Sequence, residues 1–278
     1  MIEFINETLR IFSLAFMQRA LIVGCLVSLC ASLLGVNMVL KRYSMIGDGL
    51  SHVGFGALAV ATALRLSPLW VSIPVVVVVA FFLLRLSENS KIKGDAAIAL
   101  ISASSLAIGS VILALSTGMN TDVCNYLFGS IVSMTDADVY LSVALSVIVL
   151  LLYVLFYNRI FAVTFDETFA KATGVKANLY NMLLAVLTAV TVVLGMRMMG
   201  ALMISSLIIF PSLSAMRICK RFGSVVIVSA VLSLGSFLVG MIVSSIAATP
   251  TGASVVIVNL IAFLVFWAIG KIKGGNAR

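Results

Sequence analysis

Residues 224–246 read SVVIVSAVLSLGSFLVGMIVSSI, an unbroken run without one ionisable side chain. A helix rises 1.5 Å per residue, so this run is about 34 Å long as a helix. A hydrocarbon layer about 30 Å thick takes about 20 helical residues to cross. The run is continuously apolar rather than alternating, which excludes a barrel strand, and only helices and closed barrels satisfy every backbone group in lipid. Eight further stretches resemble it, near 18 to 40, 46 to 64, 67 to 86, 95 to 116, 138 to 158, 178 to 196, 199 to 216 and 252 to 270. The pattern predicts an all-α, polytopic integral membrane helix bundle of about eight or nine transmembrane helices, forming one transmembrane unit over 1–278. The least certain divisions are between the sixth and seventh stretches, separated by Arg197, and between the second and third, at the turn from Arg65 to Pro68.

Composition leads to the same solvent. Of 278 residues, 62% are hydrophobic and 10% charged, against roughly 25% charged in ordinary soluble chains. A water-soluble domain, a disordered chain and a disulfide scaffold are all excluded. The cysteines at 25, 30, 124 and 219 form no CxxC pair, and Cys25 and Cys30 read as small hydrophobes. The net charge of +8 does not mark a nucleic-acid binder, because the basic residues punctuate apolar runs instead of clustering on one surface. The first residues, MIEFINETLR, carry acids where a signal peptide has a basic region, so no cleaved signal is expected.

Nine alternating spans with the C-terminus inside place fourteen of the 18 basic residues in inner loops, among them Lys41, Arg42, Lys171, Lys176, Arg217 and Lys220. Glu3, Glu7, Asp122, Asp136 and Asp138 then fall outside. The positive-inside bias therefore orients the chain with its N-terminus out and its C-terminus in. The longest polar segments are 117 to 137, outside, and 159 to 177, inside. Tyr126, Leu127, Phe128, Ile131 and Val132 have the spacing of a short helix at the outer interface, and equally suit a turn resting on the headgroups, the simpler reading.

Ionisable groups at membrane depth are costly and usually functional. One segment holds a pair: Ile46-Gly47-Asp48-Gly49-Leu50-Ser51-His52-Val53-Gly54-Phe55-Gly56, in which Asp48 and the chain's single histidine, His52, stand four apart on one helical face. A carboxylate and an imidazole on neighbouring turns can ligate one divalent metal ion. They can equally form a buried Asp–His hydrogen bond, with Asp48 capping the helix start. Two ligands do not close a site, so tight binding needs water, backbone oxygens or a second copy of the segment. The small residues Gly47, Gly49, Ser51, Gly54 and Gly56 narrow this helix, permitting close approach of another helix or a lined passage.

Two other segments carry signals. In Ala162-Val163-Thr164-Phe165-Asp166-Glu167-Thr168-Phe169-Ala170-Lys171-Ala172-Thr173-Gly174-Val175, Thr164 reads as an N-cap with Glu167 three residues on, Phe165 and Phe169 share a face, and Gly174 ends the helix. A capped amphipathic helix of this kind, over about 164–175 in an inner loop, offers a partner protein a surface. Its acids disfavour an anionic leaflet. In the seventh stretch Pro211 bends the helix and frees a carbonyl one turn earlier, which hydroxyls such as those of Ser205 and Ser206 can satisfy, an arrangement suited to a gated pathway and equally to packing alone. The methionines at 196, 198, 199 and 203 read as packing rather than copper ligands, Arg197 as snorkelling to the outer interface, and Asp95 as a helix-start cap.

Together these motifs resemble the membrane permease subunit of bacterial ABC importers for zinc, manganese and iron, over nearly the whole length. The family's GD-Ala-x-SH pattern is similar to Gly47-Asp48-Gly49-Leu50-Ser51-His52, and its FDPE-x-A-x-x-x-GV segment to the run from Phe165 to Val175. Its proline-containing span resembles Gly200 to Ala215, and its late P-SGA-x-IV turn resembles Pro250 to Val256. The resemblance implies a single permease domain working as a homodimer or pseudo-dimer. Two cytoplasmic ATPase subunits would grip the coupling helices, and an extracytoplasmic metal-binding protein would deliver Zn²⁺ or Mn²⁺, with Fe²⁺ a further cargo. It implies Asp48 and His52 as metal contacts, and Phe165, Asp166, Glu167, Phe169, Ala170 and Gly174 as the ATPase-coupling segment. Gly47, Ser51, Ser205, Ser206 and Pro211 would line or gate the pathway. Three departures bear on metal preference and helix geometry: Gly49 for the commoner alanine, Gly56 where many members have proline, and Thr168 where the coupling segment has its proline.

No G-x-x-x-x-G-K-[ST] loop occurs in the chain, so ATP is expected to act only through a separate subunit. The rival reading is a proton-coupled secondary transporter or channel using Asp48 and His52 as a relay. An intramembrane metallohydrolase needs three ligands and a general base, and the chain has neither an HExxH motif nor a second histidine. A carrier of ferric chelates would not need the acid–imidazole pair. One oxygen and one nitrogen donor per copy suit zinc, manganese or ferrous iron alike.

Overall fold

The computed structural model describes residues 14–89, 94–116, 129 and 135–275. The interfacial segment read at 126–132 lies outside them except for Gly129. The described residues form helices and no strand: α1 (Ala15–Leu40), α2 (Ser44–Ala63), α3 (Pro68–Asn89), α4 (Gly94–Ser116), α5 (Asp136–Leu155), α6 (Tyr157–Phe165), α7 (Glu167–Ala172), α8 (Ala177–Met199), α9 (Ala201–Ile218), α10 (Phe222–Ala247) and α11 (Thr251–Gly275). Each of the nine expected stretches is one of these helices. Seven of them, α1, α3, α4, α5, α8, α10 and α11, are long and apolar enough to cross a membrane, and α9 holds a shorter apolar helix over Met203–Ile218. α2 is 20 residues long, its apolar character diluted by Asp48, His52 and its glycines.

Both doubtful divisions resolve at residues with left-handed backbone. Arg65 has φ 56° and turns the chain into Pro68, the first residue of α3, a position where proline loses no helical hydrogen bond. The break between α8 and α9 falls at Gly200, with φ 88°, not at Arg197, which lies inside α8. Glycine adopts that conformation without the Cβ penalty other residues meet.

α1 and α8 form the centre of the bundle, with 67% and 72% of their apolar windows buried, whereas α4, α5 and α11 bury only 17%, 22% and 22%. These three helices therefore lie at the periphery, with most of their surface outside the core of the bundle. α1 packs against α8, α9, α10 and α5 through small and polar side chains. The Ser233 hydroxyl donates to the Ser28 carbonyl at 2.9 Å, and a Cβ at Gly24 would stand 2.1 Å from the Phe237 ring. Small residues are how lipid-embedded helices gain van der Waals contact, since the surrounding chains are as apolar as they are.

At one end of the bundle α5 is tied twice. Thr135 and Asp138 form a reciprocal capping box, Asp136 pairs with Arg19, and Asp138 accepts from Arg197 at 3.1 Å. Arg197 does not snorkel outward as expected. Its side chain is 10% exposed and that of Asp138 14%, because a carboxylate from a neighbouring helix is within reach. The Arg19–Asp136 pair is 45% and 65% exposed.

Exposed ion pairs contribute about 0–1 kcal/mol, whereas removing one partner of a buried pair costs about 3–5 kcal/mol. Arg197→Ala is therefore expected to lower the melting temperature of the detergent-solubilised protein markedly, and Arg19→Ala hardly at all. Equal melting temperatures for the two variants would contradict this account.

Candidate metal-handling site and coupling segment

α2 begins at Ser44, so Asp48 lies about 6 Å and His52 about 12 Å along its axis from that end. Asp48 thus sits in the second turn and is not the helix cap, since Tyr43 occupies that position. The i, i+4 spacing brings Asp48 Oδ2 to 3.7 Å from His52 Nε2. That is longer than a hydrogen bond, and His52 Nδ1 is buried with no partner among the described residues. The buried Asp–His hydrogen bond, the alternative use of this spacing, is not formed.

The other polar contacts of Asp48 come from two places. Its carbonyl accepts from Ser51 Oγ at 2.7 Å, and its Oδ1 accepts from Ser205 Oγ of α9 at 3.2 Å. Gly47 faces Ile208 of α9. The structure thus gathers Gly47, Asp48, Ser51, His52 and Ser205. Ser206 and Pro211 are buried on α9, but the Ser206 hydroxyl turns back to the Met203 carbonyl at 2.7 Å. Other α9 hydroxyls, of Ser212 and Ser214, bond the carbonyls of Ile208 and Phe210. None of these four bonds goes to the carbonyl of Leu207, the one a proline at 211 frees.

Asp48 and His52 open on a cleft of about 680 Å³ between α2 and α4, lined also by Met45, Ile98, Ser102 and Leu106. Among the described residues, no three His, Cys, Asp or Glu side chains converge, so the protein offers one oxygen and one nitrogen donor here and no closed cage. The glycines of α2 do bring helices close, as their spacing predicts, all of the same chain: Gly49 and Gly56 meet α4, Gly47 meets α9 and Gly54 meets Met196 of α8. A Cβ at Gly56 would stand 2.9 Å from the Ser105 carbonyl oxygen.

The second expected site differs from its sequence reading at its start. The helix α7 covers six residues, and its N-cap is Asp166, whose Oδ1 accepts from the Phe169 backbone N–H at 2.8 Å. Thr164 belongs to α6, where its hydroxyl lies 2.7 Å from the Ile160 carbonyl and 3.1 Å from Asn37 Oδ1. A carboxylate caps better than a threonine already occupied by its own helix. Phe165 and Phe169 consequently sit on different helices, with extended Asp166 between them, yet both are well exposed, 60% and 64%. At the far end, Gly174 at φ 82° completes a Schellman turn, with Val175 N–H donating to Ala170 at 2.9 Å and Gly174 N–H to Lys171 at 3.1 Å. Ala170 is fully buried against Val163, Val175 and Ala177.

Glu167 faces the bundle. It accepts from Asn181 Nδ2 of α8 at 3.0 Å, pairs with Lys171 at 2.7 Å and lies 3.7 Å from Lys41 Nζ at the end of α1. Lys41 also bonds Asn181. Burial raises the Glu167 pKa, but the hydrogen bonds from Lys171 and Asn181 and the charges of Lys41 and Lys171 outweigh it, leaving the carboxyl below its ordinary range. A depressed pKa keeps the contribution of this carboxylate above the unfolded value and loses it only as pH falls through the lower folded value, so it is intact at neutral pH.

A model of the ABC 3 transport family matches residues 13–270. The chain belongs to this family. Its relatives include the manganese import system permease protein ScaB of Streptococcus gordonii, 28% identical over 91% of each chain, and the high-affinity zinc uptake system membrane protein ZnuB of Haemophilus influenzae, 30% identical over 88% of this chain and 94% of that one. The solved structure of PsaBC from Streptococcus pneumoniae in complex with Fab is 28% identical and superimposes with a TM-score of 0.85 over 95% of both chains. The chain is accordingly a multi-pass membrane protein of an ABC 3 permease type.

Two groups that matter to this ABC 3 chain escape a sequence reading. Lys41 and Asn181 meet Glu167 from positions 126 and 14 residues away, a juxtaposition no local pattern encodes. The α4 wall of the cleft is equally silent, because Ile98, Ser102 and Leu106 read as ordinary span residues.

The close α2–α4 approach makes a steric prediction. Gly56→Leu is expected to abolish accumulation of folded protein in the membrane, whereas Gly235→Leu, where a Cβ would meet nothing within 4 Å, leaves it near the wild-type level; size-exclusion profiles in detergent distinguish the two.

Proposed function

We propose that this chain is the membrane-spanning subunit of an ATP-driven importer that moves divalent metal ions, zinc or manganese and with them ferrous iron, into the cytoplasm by alternating access. One observation carries the reading. An acid and an imidazole face each other at 3.7 Å without a hydrogen bond, on a membrane-embedded helix and beside an open cleft. Ionisable groups in that setting are costly, and an O/N donor pair repays the cost by binding a cation. The named cargoes of ScaB and ZnuB support it.

In this reading two copies form a homodimer, each supplying one Asp48–His52 half-site, and an extracytoplasmic binding protein delivers the ion from the end where Arg19, Asp136, Asp138 and Arg197 lie. The N-terminus is outside the cell membrane and the C-terminus inside, in keeping with the basic loops. Two cytoplasmic ATPase subunits dock on the exposed Phe165 and Phe169, while Glu167 anchors that surface to α1 and α8. Gly47, Ser51, Ser205, Ser206 and Pro211 line the pathway. The chain binds no ATP itself. A half-site also lets go, as transport requires binding weak enough to release.

Reconstituted with its ATPase and binding protein in liposomes, the wild-type chain is expected to take up Zn²⁺ or Mn²⁺ only with ATP. His52→Ala should lower the uptake rate about tenfold or more with assembly unchanged. Uptake at the wild-type rate in that variant refutes the site, and uptake without ATP replaces the reading with proton-coupled transport. Docking is tested separately: Phe169→Asp should prevent co-purification of the ATPase, whereas Asn181→Ala should retain the ATPase but transport fewer ions per ATP hydrolysed.

A further inference from the structure

Serine and threonine hydroxyls in apolar helices ordinarily donate to the carbonyl one turn earlier. On α4, Ser110 does so to Leu106 at 2.8 Å and Ser116 to Ile112 at 2.7 Å. Ser102, on the same helix, does not: its Oγ is buried and has no partner among the described residues. Leaving such a group unsatisfied costs about 1–3 kcal/mol, so its place in the molecule matters. Ser102 lines the cleft that Asp48 and His52 line. Its Oγ lies 3.4 Å from where a Cβ of Gly49 would stand, against the backbone beside Asp48, and Ile98 Cγ2 would be 2.7 Å from that Cβ. The glycine after Asp48 is what leaves room for Ile98, one turn before Ser102 on the same wall. Other unpartnered hydroxyls, those of Ser28, Ser142 and Ser146, sit on residues almost wholly enclosed, away from the cleft's lining.

The coincidence in one cleft of a hydroxyl without a partner, an imidazole whose Nε2 lies 3.7 Å from Asp48 Oδ2 without a hydrogen bond, and that carboxylate describes a donor set of two oxygens and one nitrogen. We infer that Ser102 is a third, neutral oxygen donor to the transported ion, acting directly or through a water the ion keeps, and that it biases the site toward Mn²⁺ over Zn²⁺. Oxygen-rich, expandable coordination suits manganese, while zinc prefers four ligands rich in nitrogen and sulfur. The inference rests on the reading that Asp48 and His52 grip the cargo, and adds to it the residue that sets the preference.

The test is binding, not transport. The full-length chain in detergent is titrated with Mn²⁺ alone, following loss of the free-ion electron paramagnetic resonance signal, and then with Zn²⁺ as competitor. Ser102→Ala is expected to weaken Mn²⁺ binding about tenfold and Zn²⁺ binding less than about threefold, the range seen when groups around a metal are removed. Ser102→Cys, of nearly equal volume and softer, should reverse the preference. Wild-type affinities for both ions in Ser102→Ala, with binding abolished by His52→Ala, overturn the role of Ser102 while leaving the site. Wild-type binding in His52→Ala, or a wild-type chain that leaves the Mn²⁺ signal untouched in large excess, overturns the site itself and Ser102 with it.

Discussion

Hydrocarbon accepts and donates no hydrogen bonds, so each polar group this chain carries into the membrane must find its partner within the protein. The helices answer for the backbone. Hydroxyls mostly answer for themselves: those of Thr188, Thr191 and Ser214 donate to the carbonyl one turn back and become neutral features of an apolar helix. A smaller set reaches between helices and fixes their arrangement, as where the Asn37 amide donates to the Tyr153 hydroxyl at 2.9 Å and Thr164 meets the same asparagine. Against that background, polar atoms left without partners beside an open cleft are informative, because nothing in the packing of α2 and α4 requires them there.

The same economy shapes the coupling segment. A helix of six residues does not hold together on its own hydrogen bonds. Here Asp166 caps its start, the Schellman turn at Gly174 closes its end, and Ala170 seats it on Val163, Val175 and Ala177. Glu167 then ties it to Lys41 and Asn181, at the ends of the two most buried helices. Facing outward among polar and small neighbours are two aromatic rings: Phe169, and Phe165, whose centroid lies 4.9 Å from that of Phe161, tilted, and 5.9 Å from that of Phe222, edge-on. If an ATPase docks on those rings, as proposed, Glu167 and its partners link that surface to α1 and α8.

How far a sequence reveals such a molecule depends on the range of the physics involved. The spans were legible because crossing lipid imposes length and apolarity on each segment independently, and the Asp48–His52 pair because i, i+4 spacing is local. The cap at Asp166 was misread as Thr164 because both residue types cap helices and only the backbone decides which is free. Gly200 ended α8 three residues beyond Arg197 because the arginine found a carboxylate, Asp138, on a distant helix and could stay inside. Ser102, Lys41 and Asn181 were invisible for the same reason: each acts through a neighbour that only the packed bundle supplies.

That packing also constrains how the proposed site can grip. Asp48 has two carboxylate oxygens, and one of them, Oδ1, already accepts from Ser205, so in the proposed site a cation beside His52 meets Oδ2, the oxygen nearest that imidazole, first. α9 packs on both α1 and α2, which places it between the helix anchored to Glu167 and the helix bearing Asp48. A shift of α9 that withdrew the Ser205 hydroxyl would free Oδ1 and raise the charge density facing the cation, while the reverse shift would occupy that oxygen and loosen the grip. In the proposed site, affinity at Asp48 then depends on the position of a helix as well as on the donors present, as a carrier that must both capture and release demands.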